Sequence, residues 1–186
     1  MRTQKKFTFL SILSIGLMAL FLTFTFSSCK EDHCKATVCA YEGICNDDGS
    51  CTCLVGYEGE RCETISRDKF KGAWTITEKG SISNTANYAS TIQNGNAIDE
   101  VVIHNFNNKF NSIVNAKIVN DTMYIPSQTM ISGDEEYTVS GKGYVIPEEF
   151  YGLHGKMVLQ YKVISSDQSV NNYGSDGKDN PSIWTK

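Results

Sequence analysis

The sequence contains no G-x-S-x-G, no H-E-x-x-H and no phosphate-cradling glycine loop, so the short signatures of acyl transfer, zinc hydrolysis and nucleotide binding are all missing. It has no paired C-x2-C knuckles, which a structural zinc site built from clustered cysteines would need. It has no excess of positive charge either. With 17 Lys and Arg against 21 Asp and Glu, no basic stripe offsets the acidic field, and nucleic-acid binding is not expected. Beyond residue 70 no stretch carries a convincing helical period. What the chain does have is cysteine concentrated in one place: seven in all, six of them between Cys34 and Cys62.

The N-terminus opens on a basic segment, Met1 to Lys6, followed by twenty uncharged residues from Phe7 to Phe26 and then Ser27-Ser28-Cys29. This is a targeting segment and lies outside any fold. Its apolar length would also suit an uncleaved membrane anchor. Small residues before a cysteine at the end of an apolar run resemble the lipobox of bacterial lipoproteins, with Phe26 standing where that family usually has Leu. The resemblance implies cleavage after residue 28, a diacylglycerol thioether on Cys29 and a further palmitate-type chain on its new amino group. Two or three chains anchor stably where one does not. Lys30-Glu31-Asp32 is similar to the surface-export signal of Bacteroidetes lipoproteins, so the expected location is the outer membrane, lipid-anchored and exposed at the cell surface. Removing Arg2, Lys5 and Lys6 with residues 1–28 leaves 14 basic against 21 acidic side chains, a net of −7 over 158 residues. Residues 29–33 are then an acylated tether.

An oxidising compartment makes disulfides the natural state of the remaining six cysteines. Their spacing is Cys34-x4-Cys39-x5-Cys45-x5-Cys51-x-Cys53-x8-Cys62, and six cysteines allow fifteen pairings. About thirty residues cannot bury enough apolar surface to fold unaided, so bridges must restrict the unfolded chain instead. The C-x-C followed by Gly56-Tyr57-Glu58-Gly59 and Cys62 resembles the C-terminal half of an EGF-like domain, which places that module over residues 34–63. The resemblance implies the pairs Cys34–Cys45, Cys39–Cys51 and Cys53–Cys62, with Tyr57 packed over a small hairpin. Gly56 and Gly59 are expected in turn conformations that a Cβ would obstruct. Asn46-Asp47-Asp48-Gly49 is a hairpin turn. Calcium-binding relatives carry an acidic-amide cluster that Glu31-Asp32-His33 matches only in part, and no metal or other cofactor is expected.

Residues 64–69 contain neither Pro nor Gly and form a short, semi-rigid linker. From Phe70 to Lys186 the pattern changes to alternation of period two: Trp74 and Ile76; Val114, Ala116 and Ile118; Tyr137 to Ile146; Met157, Leu159, Tyr161 and Val163. Further strands are expected near Ile98–Phe106, Met123–Ile125 and Ser182–Thr185. Turn-forming clusters lie at Asn94-Gly95-Asn96, Asn120-Asp121, Ser132-Gly133-Asp134 and Gly174 to Gly177. The fold class is therefore mainly β, a small disulfide-rich module followed by an antiparallel barrel or sandwich. Gly72-Ala73-Trp74 at the first strand resembles the start of lipocalin-like (calycin) barrels, in which the Trp plugs the closed end.

Chemistry is sparse in this second part. His104 and His154 stand alone, each beside or within a strand, where a histidine is normally structural. Asp134-Glu135-Glu136 and Glu148-Glu149 sit at expected turns, and a hydrolase would have to work through them, although nothing around them would raise a carboxyl pKa for acid catalysis. Asp121-Thr122-Met123 resembles a Bacteroidetes O-glycosylation acceptor, with the sugar on Thr122. The leading expectation is a surface protein that acts by contact with a protein partner, as an adhesin or an accessory subunit of an outer-membrane complex, with no catalysis. The alternative is a glycan or small-ligand binder using the β domain, for which Tyr151 and Tyr173, in loop-like sequence, are the exposed aromatic candidates. Replacing Cys53 by Ser is expected to destabilise the cysteine module by about 2–5 kcal/mol and leave the β domain folded. Differential scanning calorimetry checks this: two transitions with one lowered are expected, and a single lowered transition would show one cooperative unit.

Overall fold

A computed structural model describes residues 32–147, 154–178 and 180–186; Cys29, Lys30 and Glu31, Glu148-Glu149 and Tyr151 lie outside them. The cysteine module is built on two tiny hairpins. In the first, β1 (Ile44–Cys45) pairs with β2 (Cys51–Thr52) around the Asn46–Gly49 turn, where Gly49 has φ +84°. In the second, β3 (Tyr57–Glu58) pairs with β4 (Thr64–Ile65). Three bridges join Cys34 to Cys45, Cys39 to Cys51 and Cys53 to Cys62, the pairing implied by the EGF resemblance. Tyr57 stacks on Tyr41 with ring centroids 4.3 Å apart. Thr64 and Ile65, expected in the linker, belong to the second hairpin, and a 3₁₀ turn over Ser66–Lys69 completes the connection.

The β domain consists of β5 (Gly72–Glu78), β6 (Ala86–Asn94), β7 (Glu100–His104), β8 (Val114–Val119), β9 (Thr122–Ser132), β10 (Glu135–Val145), β11 (Lys156–Ser165), β12 (Val170–Tyr173) and β13 (Ser182–Thr185). Strands β5 to β11 run as an antiparallel meander in which each next neighbour pairs, β13 pairs with both β11 and β5, and β10 pairs with β11. That last ladder closes the sheet, so the ambiguity between barrel and sandwich resolves to an eight-stranded antiparallel barrel. Strand β12 continues the seam: it pairs with the second half of β11, whose first half pairs with β13.

The alternating residues line one interior. Trp74, Ile76, Ile103, Val114, Ile118, Met123, Met157, Leu159, Tyr161 and Trp184 are all essentially inaccessible, and burial of this kind is the main stabilising term. Two strands escaped the sequence reading, β6 and β12. Both are polar along most of their length, so their inward residues, Ser90 and Ile92 on β6 and Tyr173 on β12, leave little apolar rhythm to detect. Strand β9 is longer than expected because it bends instead of ending at Pro126. The β9–β10 register shifts between Gln128 and Ile125, and a bulge tolerates a proline that cannot donate to a ladder. Beside it the Gln128 side chain stands in for a peptide: its Oε1 accepts from Asn115 N at 2.9 Å and its Nε2 donates to Asn115 O at 2.8 Å.

Closure depends on two glycines of β10. Gly141 lies opposite Tyr161 and Gly143 opposite Leu159. A Cβ on Gly141 would sit on Tyr161 Cβ and 2.6 Å from Gln160 O, and one on Gly143 would be 2.7 Å from Leu159 Cδ1. The large β11 side chains therefore fill the space that their β10 partners leave.

The two ends of the barrel differ. At the end where β5 begins, Trp74 donates from Nε1 to Phe70 O at 2.7 Å, meets Trp184 edge-on and is covered by the Lys186 ammonium. The cysteine module docks at this closed end. Ser66 N donates to Gly56 O, Arg67 Nη1 donates to Ala97 O at 2.6 Å, and Lys69 Nζ pairs with both Glu58 and Asp121. Gly56, at φ +88°, rests on Ile98 so closely that a Cβ would come within 2.7 Å of its Cγ2. Replacing Gly141 by Ala is expected to cost about 1–3 kcal/mol because neither the Tyr161 Cβ nor the Gln160 carbonyl can swing away. Urea unfolding checks it, with Lys142→Ala, one residue along the strand and exposed, expected to shift the midpoint little.

Candidate functional site

The open end of the barrel contains a buried carboxylate. Along β5 the inward positions are Trp74, Ile76 and Glu78, so alternation carries an acid into a place where the pattern asks for an apolar side chain. Glu78 is 4% exposed. An unpaired charge there would be strongly disfavoured, and four donors answer it. Tyr88 Oη and Asn107 Nδ2 donate to Oε1 at 2.8 and 3.0 Å, and Tyr161 Oη and Ser182 Oγ donate to Oε2 at 2.8 and 2.6 Å. Trp184 Nε1 donates to Ser182 Oγ at 2.9 Å, which links the network to the apolar core below.

The loop between β7 and β8 delivers Asn107. Asn105, Asn107 and Asn108 all have positive φ, a conformation asparagine accepts more readily than most residues. This tight path drops Phe106 into the core, edge-on to Tyr161 at 4.7 Å, and turns the Asn107 amide onto the network. Asn107 Nδ2 also lies 2.7 Å from Tyr161 Oη and 2.8 Å from Tyr173 Oη. Tyr173 stacks face to face on Tyr161, centroids 4.3 Å apart, and accepts from Asn171 Nδ2 at 2.9 Å. The β5–β6 loop is tied down on the same side, with Ile82 N donating to Asn171 Oδ1 and Ser81 N to Asn172 O.

Above this floor is an open cavity of about 290 Å³ whose lining includes Ser83, Asn84, Asn107, Lys109, Asn171 and Tyr173. The Lys109 ammonium lies 3.7 Å from the centroid of the Tyr137 ring. A second hollow of about 310 Å³ lies on the outer wall over Gly141, with Tyr124, Lys142, Gln160 and Lys162 around it. The interior itself is occupied, since Trp74, Met123, Met157, Leu159 and Tyr161 are each no more than 1% exposed.

The residues singled out from sequence fall in several places. Gly72 and Trp74 form the closed end. Tyr173, expected as an exposed aromatic, is buried instead, because it is the inward-facing last residue of β12. Thr122 is half-buried at the start of β9, next to the Asp121 that pairs with Lys69. Asp134, Glu135 and Glu136 are exposed at the β9–β10 turn, with the Tyr137 hydroxyl donating to Glu135. His104 ends β7, and its buried Nε2 has no hydrogen-bond partner among the described residues; His154 is exposed. Glu78, Tyr88, Asn107 and Ser182 were not anticipated. The available signal was an acid continuing the inward phase of Trp74 and Ile76, together with three asparagines around a single Phe. No model of a known protein family matches the chain.

Burial first, and the negative charge of Glu78 second, push the Tyr88 and Tyr161 hydroxyls well above the usual phenol range. The sign follows directly. Above about pH 10 the unfolded chain releases these protons while the folded chain keeps them, so the folded state loses stability as pH rises. The expected slope is about 1.4 kcal/mol per pH unit for each tyrosine. Urea titrations at increasing pH check it: Tyr88→Phe is expected to lower stability at neutral pH and to flatten the alkaline slope.

Proposed function

We propose that this protein is a lipid-anchored binding protein of the bacterial outer membrane that acts by contact and not by catalysis, as an adhesin or an accessory subunit of a surface complex. The observation that carries the reading is the docking of the cysteine module on the closed end of the barrel. The chain runs from Cys29 through that module into β5, so an anchor at Cys29 holds the closed end and directs the open end away from the membrane. The EGF-like and lipocalin-like resemblances fit this order, with the first acting as a short spacer and the second as the displayed domain. Val38, Ile44, Leu54 and Val55 are exposed on the module and are the apolar side chains it offers to a protein partner near the membrane.

A second reading is supported by the polar cavity at the open end: the β domain also binds a small ligand or a glycan there. Because side chains fill the interior, an apolar molecule inside the barrel is not part of this reading.

Growth with an alkyne analogue of palmitate is expected to label the wild-type protein and not Cys29→Ser, which should move to the soluble fraction. Label retained in Cys29→Ser would overturn the anchor. After cross-linking on intact cells, a stoichiometric membrane protein is expected to co-purify, and Ile44→Asp with Val55→Asp is expected to release it. Recovery of the protein alone would overturn the contact reading.

A further inference from the structure

We propose that the cavity at the open end binds one neutral sugar unit, either a free monosaccharide or the exposed end of a glycan. This rests on the ligand-binding reading above and adds the chemistry of the ligand.

The floor of the cavity is fixed. Asn107, Asn171 and Tyr173 are held by the network around Glu78 and by the stack on Tyr161, so their polar atoms are set before any ligand arrives, which lowers the ordering cost of binding. Around that floor stand Asn84, Lys109 and Ser165, whose side chains have no hydrogen-bond or ion-pair partner among the described residues. Fixed groups below, with the Asn84 and Ser165 side chains and the Lys109 ammonium seated on the Tyr137 ring above, give a ligand several contacts at once.

The chemical class follows from what these groups are. Amides and hydroxyls both donate and accept, as sugar hydroxyls do. Ile82, Ala86 and Val163 line the same cavity and offer apolar surface to the C–H faces of a ring. The charges argue for a neutral ligand. The two oxygens of Glu78 are already occupied by four donors, so it cannot receive a cation without breaking the network, yet its charge opposes an anion placed beside it. Lys109 balances that charge from the rim. At about 290 Å³ the space is at the small end for ligand sites, which suits a single ring, and its opening lets the rest of a glycan extend into solvent.

The test is a ¹⁵N–¹H NMR titration of the lipid-free chain beginning at Lys30, with all three disulfides intact. The probes are D-glucose, D-galactose, N-acetyl-D-glucosamine and D-glucuronate, followed by a trisaccharide ending in whichever binds best. At least one neutral sugar is expected to shift the amides of Ser83, Asn84, Lys109 and Ser165 saturably with a roughly millimolar Kd. Asn84→Ala and Ser165→Ala are each expected to weaken binding about fivefold to tenfold with an otherwise unchanged spectrum, while Lys142→Ala on the outer wall leaves it intact. Equal affinity for the trisaccharide identifies a glycan end, and its exclusion a free sugar; both support the proposal. Tighter binding of glucuronate would overturn the neutral ligand and leave the ligand-binding reading standing. Shifts centred on Tyr124 and Lys142 would overturn the location. No saturable shift from any probe would remove the proposal and its parent reading together, while the cross-linking result decides the protein-contact reading separately.

Discussion

The ladder between β10 and β11 is the constraint on which the rest of the domain depends. Without it, β5 to β11 and β13 would be an open sheet with two exposed edges and one half-covered apolar face. Closing it removes both edges and forces every inward side chain into a single interior. The closure is possible because Gly141 and Gly143 yield their volume to Tyr161 and Leu159. The same accommodation sets Tyr161 at the height where its hydroxyl reaches Glu78, so the geometry of the seam and that of the polar network are parts of one arrangement.

The network at the open end is costly by the ordinary rules of a β core. An apolar residue at position 78 would close the barrel with no desolvation penalty, and removing an ionic group in favour of a well-packed apolar one is often neutral or stabilising. Instead Glu78 draws donors from β6, β11, β13 and the β7–β8 loop. Elements distant in the chain are thereby held in one orientation, and the side chains facing the cavity are positioned by atoms that are themselves fixed. Such local departures from the best packing are where function is usually found, and here the departure forms the base of the polar hollow at the open end.

The cysteine module contributes in a different way. Its bridges replace the core it is too small to have, and Ser66, Arg67 and Lys69 fasten it to the closed end through hydrogen bonds and ion pairs. The result is a molecule with two unlike poles, one covered by the module and one open. A ligand or partner meeting the open pole does not have to pass the module.

Much of this was legible in the sequence for identifiable reasons. Cysteine spacing alone left fifteen pairings open, and the three bridges observed are the ones implied by the resemblance of Cys51 to Cys62, with its Gly56–Gly59 turn, to an EGF-like domain. The strands β5, β8 and β11 announce themselves because each alternates apolar and polar residues over several positions, and the turns at Asn94–Asn96, Asn120-Asp121 and Ser132–Asp134 because their residues favour tight backbone paths. Strands β6 and β12 stayed hidden because their inward residues are few, and Tyr173 was misjudged because its burial comes from pairing with β11 rather than from its neighbours in the chain. Barrel closure, the docking of the module and the gathering of Glu78, Tyr88, Asn107, Tyr161 and Ser182 were decided only in three dimensions. Period and spacing determine which face of an element is apolar, but which distant faces meet depends on the register and closure of the whole sheet, and no local pattern encodes that.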